Sequence, residues 1–346
     1  MTTIPLSEKN ISNIPFITNK EMEQIYKELQ TPYKWGAVIK IKNKLTDCPT
    51  IFQKDGIWYM MYTAIDPGEE NMGYDTYLAV SSDLLHWEEK GKILTRTMES
   101  WDGFQIDAGL ALMDTAWEGE HELHSYGGKY WATYIGGALP GYETPPLHIG
   151  LACSEDPTQS AEWDRKENPI LRMDDEDCRW FEAFTLYKSY VFQDDAETLG
   201  YPFVMFYNCK GAADMPERIG IAVSEDMENW ERYGAEPVID NGDTQGNFIS
   251  GDPQIIKIGD LWVMNYFIAM SKEGKCTAFD TFAVSRDLVN WRKWEGKPLI
   301  EPKEEWENTF AHKPFLLKHR GIVYHYYCAC NDKQERFIAV ATSKML

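Results

Sequence analysis

Apolar residues along this chain come in runs of strand length, broken by Gly, Asp, Asn and Pro, and the same order of runs returns five times. Each copy opens with a segment that starts near a carboxylate or a histidine and runs into aliphatics: DCPTIFQKDG from Asp47, DAGLALMDTA from Asp107, FEAFTLYKSY from Phe181, GDPQIIKIGD from Gly251 and AHKPFLLKHR from Ala311. A Gly-led turn and an aromatic strand follow, as in GIWYMMYTA from Gly56, GKYWATYIGG from Gly128, GYPFVMFYN from Gly200, GDLWVMNYF from Gly259 and GIVYHYYCA from Gly321. A third strand of small and apolar residues leads into an acidic turn and a Trp: TYLAVSSDLLHW to Trp87, LHIGLACSED ahead of Trp163, ERIGIAVSEDMENW to Trp230 and DTFAVSRDLVNW to Trp291. Four copies then read into a fourth strand, KGKIL, ENPIL, AEPVI or GKPLI; the fifth, after RFIAVATSK, has none of its own.

The N-terminal YKWGAVIKI, Tyr33 to Ile41, matches the missing piece. Pairing it into the last copy would close a ring and remove two open sheet edges at once. The predicted fold is therefore all-β: one five-bladed β-propeller over residues 33–346, closed by an N-terminal strand in the last blade, with an extension over 1–32. First-strand anchors at 47, 107, 182, 252 and 312 lie 60, 75, 70 and 60 residues apart, and the surplus falls in loops at 137–146, 194–199 and 211–216. NKEMEQIYKELQ, residues 19–30, reads as one helix, with Met22, Ile25 and Leu29 on a single face that packs on the propeller.

Composition narrows the function. The 346 residues carry 55 Asp+Glu against 34 Lys+Arg, a net charge of -21 with no basic stripe, which excludes a phosphate-tracking nucleic-acid binder and an anionic-membrane binder. Aromatics reach 14%, a level that suits strands and surfaces that stack on sugars. Seven cysteines, an odd count without a CxxC spacing, read as reduced thiols. The N-terminus shows no basic segment followed by an apolar one, and a cytoplasmic location is the expectation.

In a propeller the first strands surround the central channel, so their starts converge at one end. The residues placed there are Asp47, Asp107, Glu182, Asp252 and the pair His312 and Lys313. Carboxylates facing one pocket are what glycoside cleavage needs: a protonated acid for the leaving oxygen and an ionised group that activates water or attacks the anomeric carbon. Just ahead of two of these acids, Trp101 and Gln105 in WDGFQID and Arg179 and Trp180 in CRWFE offer a ring to stack on a sugar and polar groups to bind its hydroxyls. Asp252, His312 and Lys313 are candidates for the same substrate contacts.

With these motifs the chain resembles the five-bladed propeller glycosidases, above all glycoside hydrolase family 43, and more distantly the invertase-like and mannoside-phosphorylase-like families. The resemblance spans residues 35–346. It implies that Asp47 in TDCPTIF is the general base, Asp107 in FQIDAGLAL the residue that tunes the acid, and Glu182 in WFEAFTLYKS the general acid, with inversion at the anomeric carbon and a terminal sugar as the group released. The local context departs from the family pattern: Asp47 is followed by Cys48-Pro49, Asp107 by Ala108-Gly109 and Glu182 by Ala183-Phe184, where family 43 shows Asp-Pro twice and Glu-Gly-Pro. It also implies a channel His near a bound cation, commonly calcium, which makes His312 a metal candidate; no cofactor is required. Phosphorolysis is the alternative, since GDPQ at Gly251 is similar to the phosphorylase motif, with His312, Lys313, Arg179 and Arg218 as the cations near strand ends. A glycan-binding propeller without catalysis is a third reading. The expected partner is a carbohydrate, with neither nucleic acid nor membrane.

Overall fold

The computed structural model describes residues 15–159 and 163–346. The first 14 residues, from which the cytoplasmic expectation is drawn, lie outside the described residues. Twenty strands are present among the described residues, in one four-stranded and two eight-stranded sheets. Each eight-stranded sheet divides at a single parallel bridge, Tyr74 to Gln105 in one and Ala278 to Phe310 in the other, into two four-stranded antiparallel units.

The units follow chain order. Unit one holds Leu45–Lys54, Ile57–Ile65, Tyr74–Ser81 and Glu88–Leu94, and unit two Gln105–Leu110, Tyr130–Gly137, Leu147–Ser154 and Asp164–Arg165. Unit three holds Thr185–Gln193, Phe203–Lys210, Glu217–Ser224 and Glu231–Tyr233, and unit four Asn247–Ile258, Leu261–Lys272, Lys275–Ser285 and Arg292–Lys293. Unit five is built from Phe310–His319, Ile322–Cys330 and Arg336–Thr342, and its fourth strand is the N-terminal Tyr33–Ile39, antiparallel to Arg336–Thr342. The first strand of every unit packs against that of the next, and the fifth packs against the first. Second strands carry the bulk of the core, with Met60, Tyr62, Val204, Phe206, Met264 and Tyr326 buried between units.

The fourth strands differ from expectation in units two to four. ENPIL, AEPVI and GKPLI do not form ladders; the short strands end just before them, and each segment touches its neighbour through one isolated bridge at Leu171, Ile239 or Ile300. Pro169, Pro237 and Pro298 explain this, since a proline has no N–H to donate to a ladder. KGKIL, without a proline, is part of a full strand.

The helix runs over Asn19–Glu28, two residues short of the predicted end, with Leu29 as its C-cap. Thr18 and Glu21 cap its start reciprocally. Met22, Ile25 and Leu29 are buried against Leu261, Val263, Leu316 and Trp117 on the outside of units four and five.

Four first strands carry a bulge, at Asp47/Thr50, Leu186/Ser189, Gly251/Gln254 and His312/Phe315. In three of them the bulged residue has a left-handed backbone, Cys48 at φ 51, Asp252 at φ 50 and Lys313 at φ 63, and a proline follows. Such a bulge breaks pairing for one step and turns side chains out of the sheet, here toward the ring centre. Glu182 does not share this position. Its strand starts only at Thr185, and the bulge of unit three falls at Tyr187 and Lys188.

Candidate active site

A cavity of about 130 Å³ opens where the first strands meet, and carboxylates of four residues line it: Asp107, Glu143, Glu217 and Asp252. Cations alternate with them. Lys188 donates to Asp107 at 2.8 Å, and Thr63 donates to the same oxygen. Lys313 reaches Glu143 at 3.3 Å and Asp47 at 3.1 Å. Phe248, Phe267 and Phe310 supply an apolar wall.

Glu217 opens the third strand of unit three and is 8% exposed. It accepts a hydrogen bond from Asn208 Nδ2 at 3.1 Å, and Asn208 also takes the Asp252 N–H at 3.4 Å, so one amide sets the spacing of two acids. Burial, and next the nearby charge of Glu143, push the Glu217 carboxyl up to about 8. Burial likewise raises Asp252, to about 6, against the pull of Lys313 and Lys188. Glu143 sits in the loop between Tyr130–Gly137 and Leu147–Ser154, at φ 47. Gln105 pins this loop: its Nε2 donates to the carbonyls of Leu139 and Thr144 at 3.0 and 3.1 Å, and its Oε1 accepts the Thr144 N–H at 3.1 Å.

Asp107, Asp252, His312 and Lys313 are thus placed at the cavity. Asp47 is close by but behind its wall: Oδ2 accepts from Lys313, from Arg336 at 2.7 Å and from the Tyr142 hydroxyl at 3.1 Å. Burial opposes its ionisation, but Lys313 and Arg336 outweigh that and hold the carboxyl far below the usual carboxylate range. A carboxylate so stabilised is a poor proton acceptor, contrary to the base role expected for Asp47.

Glu182 departs furthest from expectation. It is fully buried, does not line the cavity, and binds Arg179 Nη2 at 3.0 Å, Arg232 and the Tyr207 hydroxyl at 2.7 Å. Burial works against its charge, yet Arg179 and Arg232 keep the carboxyl below the ordinary Glu value, the reverse of what a general acid needs. Arg179 also donates to the carbonyls of Tyr233 and Gly234, so the pair is a structural clasp inside unit three. Trp180 lies on the outside under Arg218, and Trp101 stacks on Tyr134 with its N–H on the Glu167 carbonyl; neither lines the cavity. Gln105 holds the loop instead of substrate. The sequence did carry a signal for Glu217, because third strands open with Asp75, Glu217 and Asp280. Asp75 is tied to Lys92 and Arg96 and Asp280 to His325, which leaves Glu217 facing the cavity.

Calcium does not fit at His312. That ion takes about six to eight oxygen ligands. The His312 ring instead lies 5.1 Å from Phe267 and 5.4 Å from Phe310, and Nδ1 donates to the Cys328 carbonyl at 3.0 Å.

Two solved structures match the chain with TM-score 0.90, covering 96% of it and 97% of each of them: one described as a complex of BT0996 and RGII, at 43% identity, and one as a glycoside hydrolase, at 42%. This chain belongs to the glycoside hydrolases. The likeness extends to a thermostable family-43 glycoside hydrolase at 15% identity and TM-score 0.61, covering 88% of this chain and 91% of that one, which shows a shared fold. No protein-family model and no curated protein matches it. In this glycoside hydrolase the cavity carboxylates are therefore the groups to weigh for acid and base work.

Proposed function

We propose that this glycoside hydrolase is a five-bladed propeller that removes a terminal sugar, with Glu217 as the general acid and Glu143 as the second carboxylate. The observation that carries this is the raised Glu217 carboxyl beside the Glu143 charge in one cavity. Glu217 keeps its proton near neutral pH and delivers it to the glycosidic oxygen; Glu143, ion-paired to Lys313, attacks the anomeric carbon or activates water. Asp107 and Asp252 hold the sugar hydroxyls, and the Phe wall takes its apolar face. The cavity is well below the roughly 300–1,000 Å³ of sites for larger ligands, which favours one ring and an exo mode.

Inversion, as implied by the family-43 resemblance, rested on Asp47 and Glu182. With Glu217 and Glu143 it turns on their separation, about 6.5–9.5 Å for inversion against 5–5.5 Å for retention, and proton NMR of the first anomer released reads the answer. Hydrolysis is favoured over phosphorolysis because the cavity's cations are engaged: Lys188 with Asp107, and Lys313 and Arg336 with Asp47. His312, driven down to about 3 by burial, is neutral and cannot attract phosphate. By analogy with the BT0996 complex, an oligosaccharide of RGII is the proposed substrate.

The test is incubation with RGII oligosaccharides and a panel of aryl glycosides, with and without phosphate. Free monosaccharide independent of phosphate is the expected product, and a sugar phosphate would overturn the reading.

A further inference from the structure

Cys328 and Cys330 stand two residues apart on the strand Ile322–Cys330, which puts both side chains on one face. His312 is the register partner of Cys328 on the neighbouring strand Phe310–His319. The two Sγ atoms are 4.0 Å apart, and a ring nitrogen of His312 and both sulfurs all lie within 4.8 Å of one another. All three side chains are buried. In a tetrahedral zinc site with Zn–S bonds of about 2.3 Å, the sulfur–sulfur edge is about 3.8 Å, close to the spacing seen here.

We propose that Cys328, Cys330 and His312 form a structural zinc site, with Asp47 as the fourth ligand. This goes beyond the hydrolytic reading and does not depend on it. Nδ1 of His312 must donate to the Cys328 carbonyl, so the lone pair free for a metal is on Nε2, and a carbonyl in that position is how metal-bound histidines are commonly oriented. Burial keeps the ring neutral, the form that ligates. The Cys328 thiol and, against the effect of burial, Arg336 hold the Cys330 thiol below its usual range. Asp47 is hydrogen-bonded to Cys328 and belongs to unit one. On binding, each thiol gives its proton to solvent and forms a bond to zinc. Two thiolates cancel the charge of the ion, so the buried cluster gains none, and no oxidant is required. Soft sulfur ligands also explain why calcium does not suit His312. The metal would clamp the last unit to the first and fix the Asp47–Arg336 pair behind the cavity.

The experiment is metal analysis by mass spectrometry of the full chain, purified without a metal-affinity tag and without chelator. About one zinc per chain is expected, falling at least about tenfold in Cys328→Ser and in Cys330→Ser and retained in Cys276→Ser, whose thiol is exposed and outside the cluster. Cobalt loaded in place of zinc should give a sulfur-to-cobalt charge-transfer band that Cys330→Ser lacks. Wild-type protein with no zinc and no rise in melting temperature on zinc addition would overturn the proposal, as would equal zinc in the Cys330 variant. A native thiol count two short of seven that reductant restores would mean a Cys328–Cys330 disulfide, and that too would overturn it. Should the serine variants fail to fold, wild-type zinc content and thiol count decide alone.

Discussion

Two buried glutamates, Glu182 and Glu217, differ in their neighbours, and that difference assigns their work. Glu182 meets two guanidinium groups and a phenol; Glu217 meets one amide and a second carboxylate. Glu217→Gln should lower kcat by about 10²–10⁴-fold with circular dichroism unchanged, the range expected for loss of a general acid. Glu182→Ala should instead destabilise the fold by about 3–5 kcal/mol in urea titrations, because Arg179 and Arg232 are left buried and unpaired. The pH behaviour follows from the raised Glu217 carboxyl. Activity should fall as pH climbs through about 8, where the acid loses its proton, and Glu143→Gln should move the alkaline limb of residual activity downward by removing the charge that raises it. Stability follows the same titration. Between an ordinary 4.5 and about 8 the folded chain holds a proton at Glu217 that the unfolded chain has lost, so this group's contribution is complete below 4.5 and disappears as pH rises to 8. Melting curves at pH 6 and pH 9 should therefore show Glu217→Gln gaining on wild type at the higher pH.

At the scale of elements, bulged first strands and one pinned loop build the site. The recurring CPTIF, DPQII and KPFLL mark the bulge in three copies, and KSYVF at Lys188 is its counterpart in the third unit. Aligned on that mark, Asp47 precedes the bulged residue, Asp252 is the bulged residue and Glu182 lies six positions before Lys188, so these acids are not equivalent. A register set by the acids alone puts Glu182 level with them; the bulge does not. The loop over 138–146 was legible as surplus length but not as the carrier of Glu143, because its path depends on Gln105, which lies in another strand. Gln105→Ala should release the loop and lower kcat/KM by up to about 100-fold while leaving the secondary structure intact, the cost of a displacement near 1 Å. A crystal structure of the variant with Glu143 in place would contradict this.

Across the whole molecule, the ring depends on one long-range pairing, between Tyr33–Ile39 and Arg336–Thr342. Trp35 adds a hydrogen bond to Thr342 at 2.7 Å, and Lys34 is ion-paired with buried Glu307, so the strand is anchored on both faces. Removing residues 1–41 should expose the edge of Arg336–Thr342 and strip the helix from units four and five. Lower melting temperature and aggregation on size-exclusion chromatography are the expected results; an unchanged monomer would show that the fifth unit stands with three strands.

The sequence by itself determined the all-β repeat, its five copies, the helix face and the N-terminal strand, because these rest on local periodicity and turn chemistry that each segment carries alone. It also placed Asp107, Asp252, His312 and Lys313 at the channel end, since strand starts converge wherever first strands line a ring. Tertiary structure alone decided which acid keeps a proton. Charge at a buried carboxyl is set by groups brought near from distant segments: Arg232 lies 50 positions from Glu182, and Glu143 lies in a loop of another unit from Glu217. Those distances are not written in any local pattern, and they decide that the glutamate at the strand entrance is a clasp and the one on the third strand an acid.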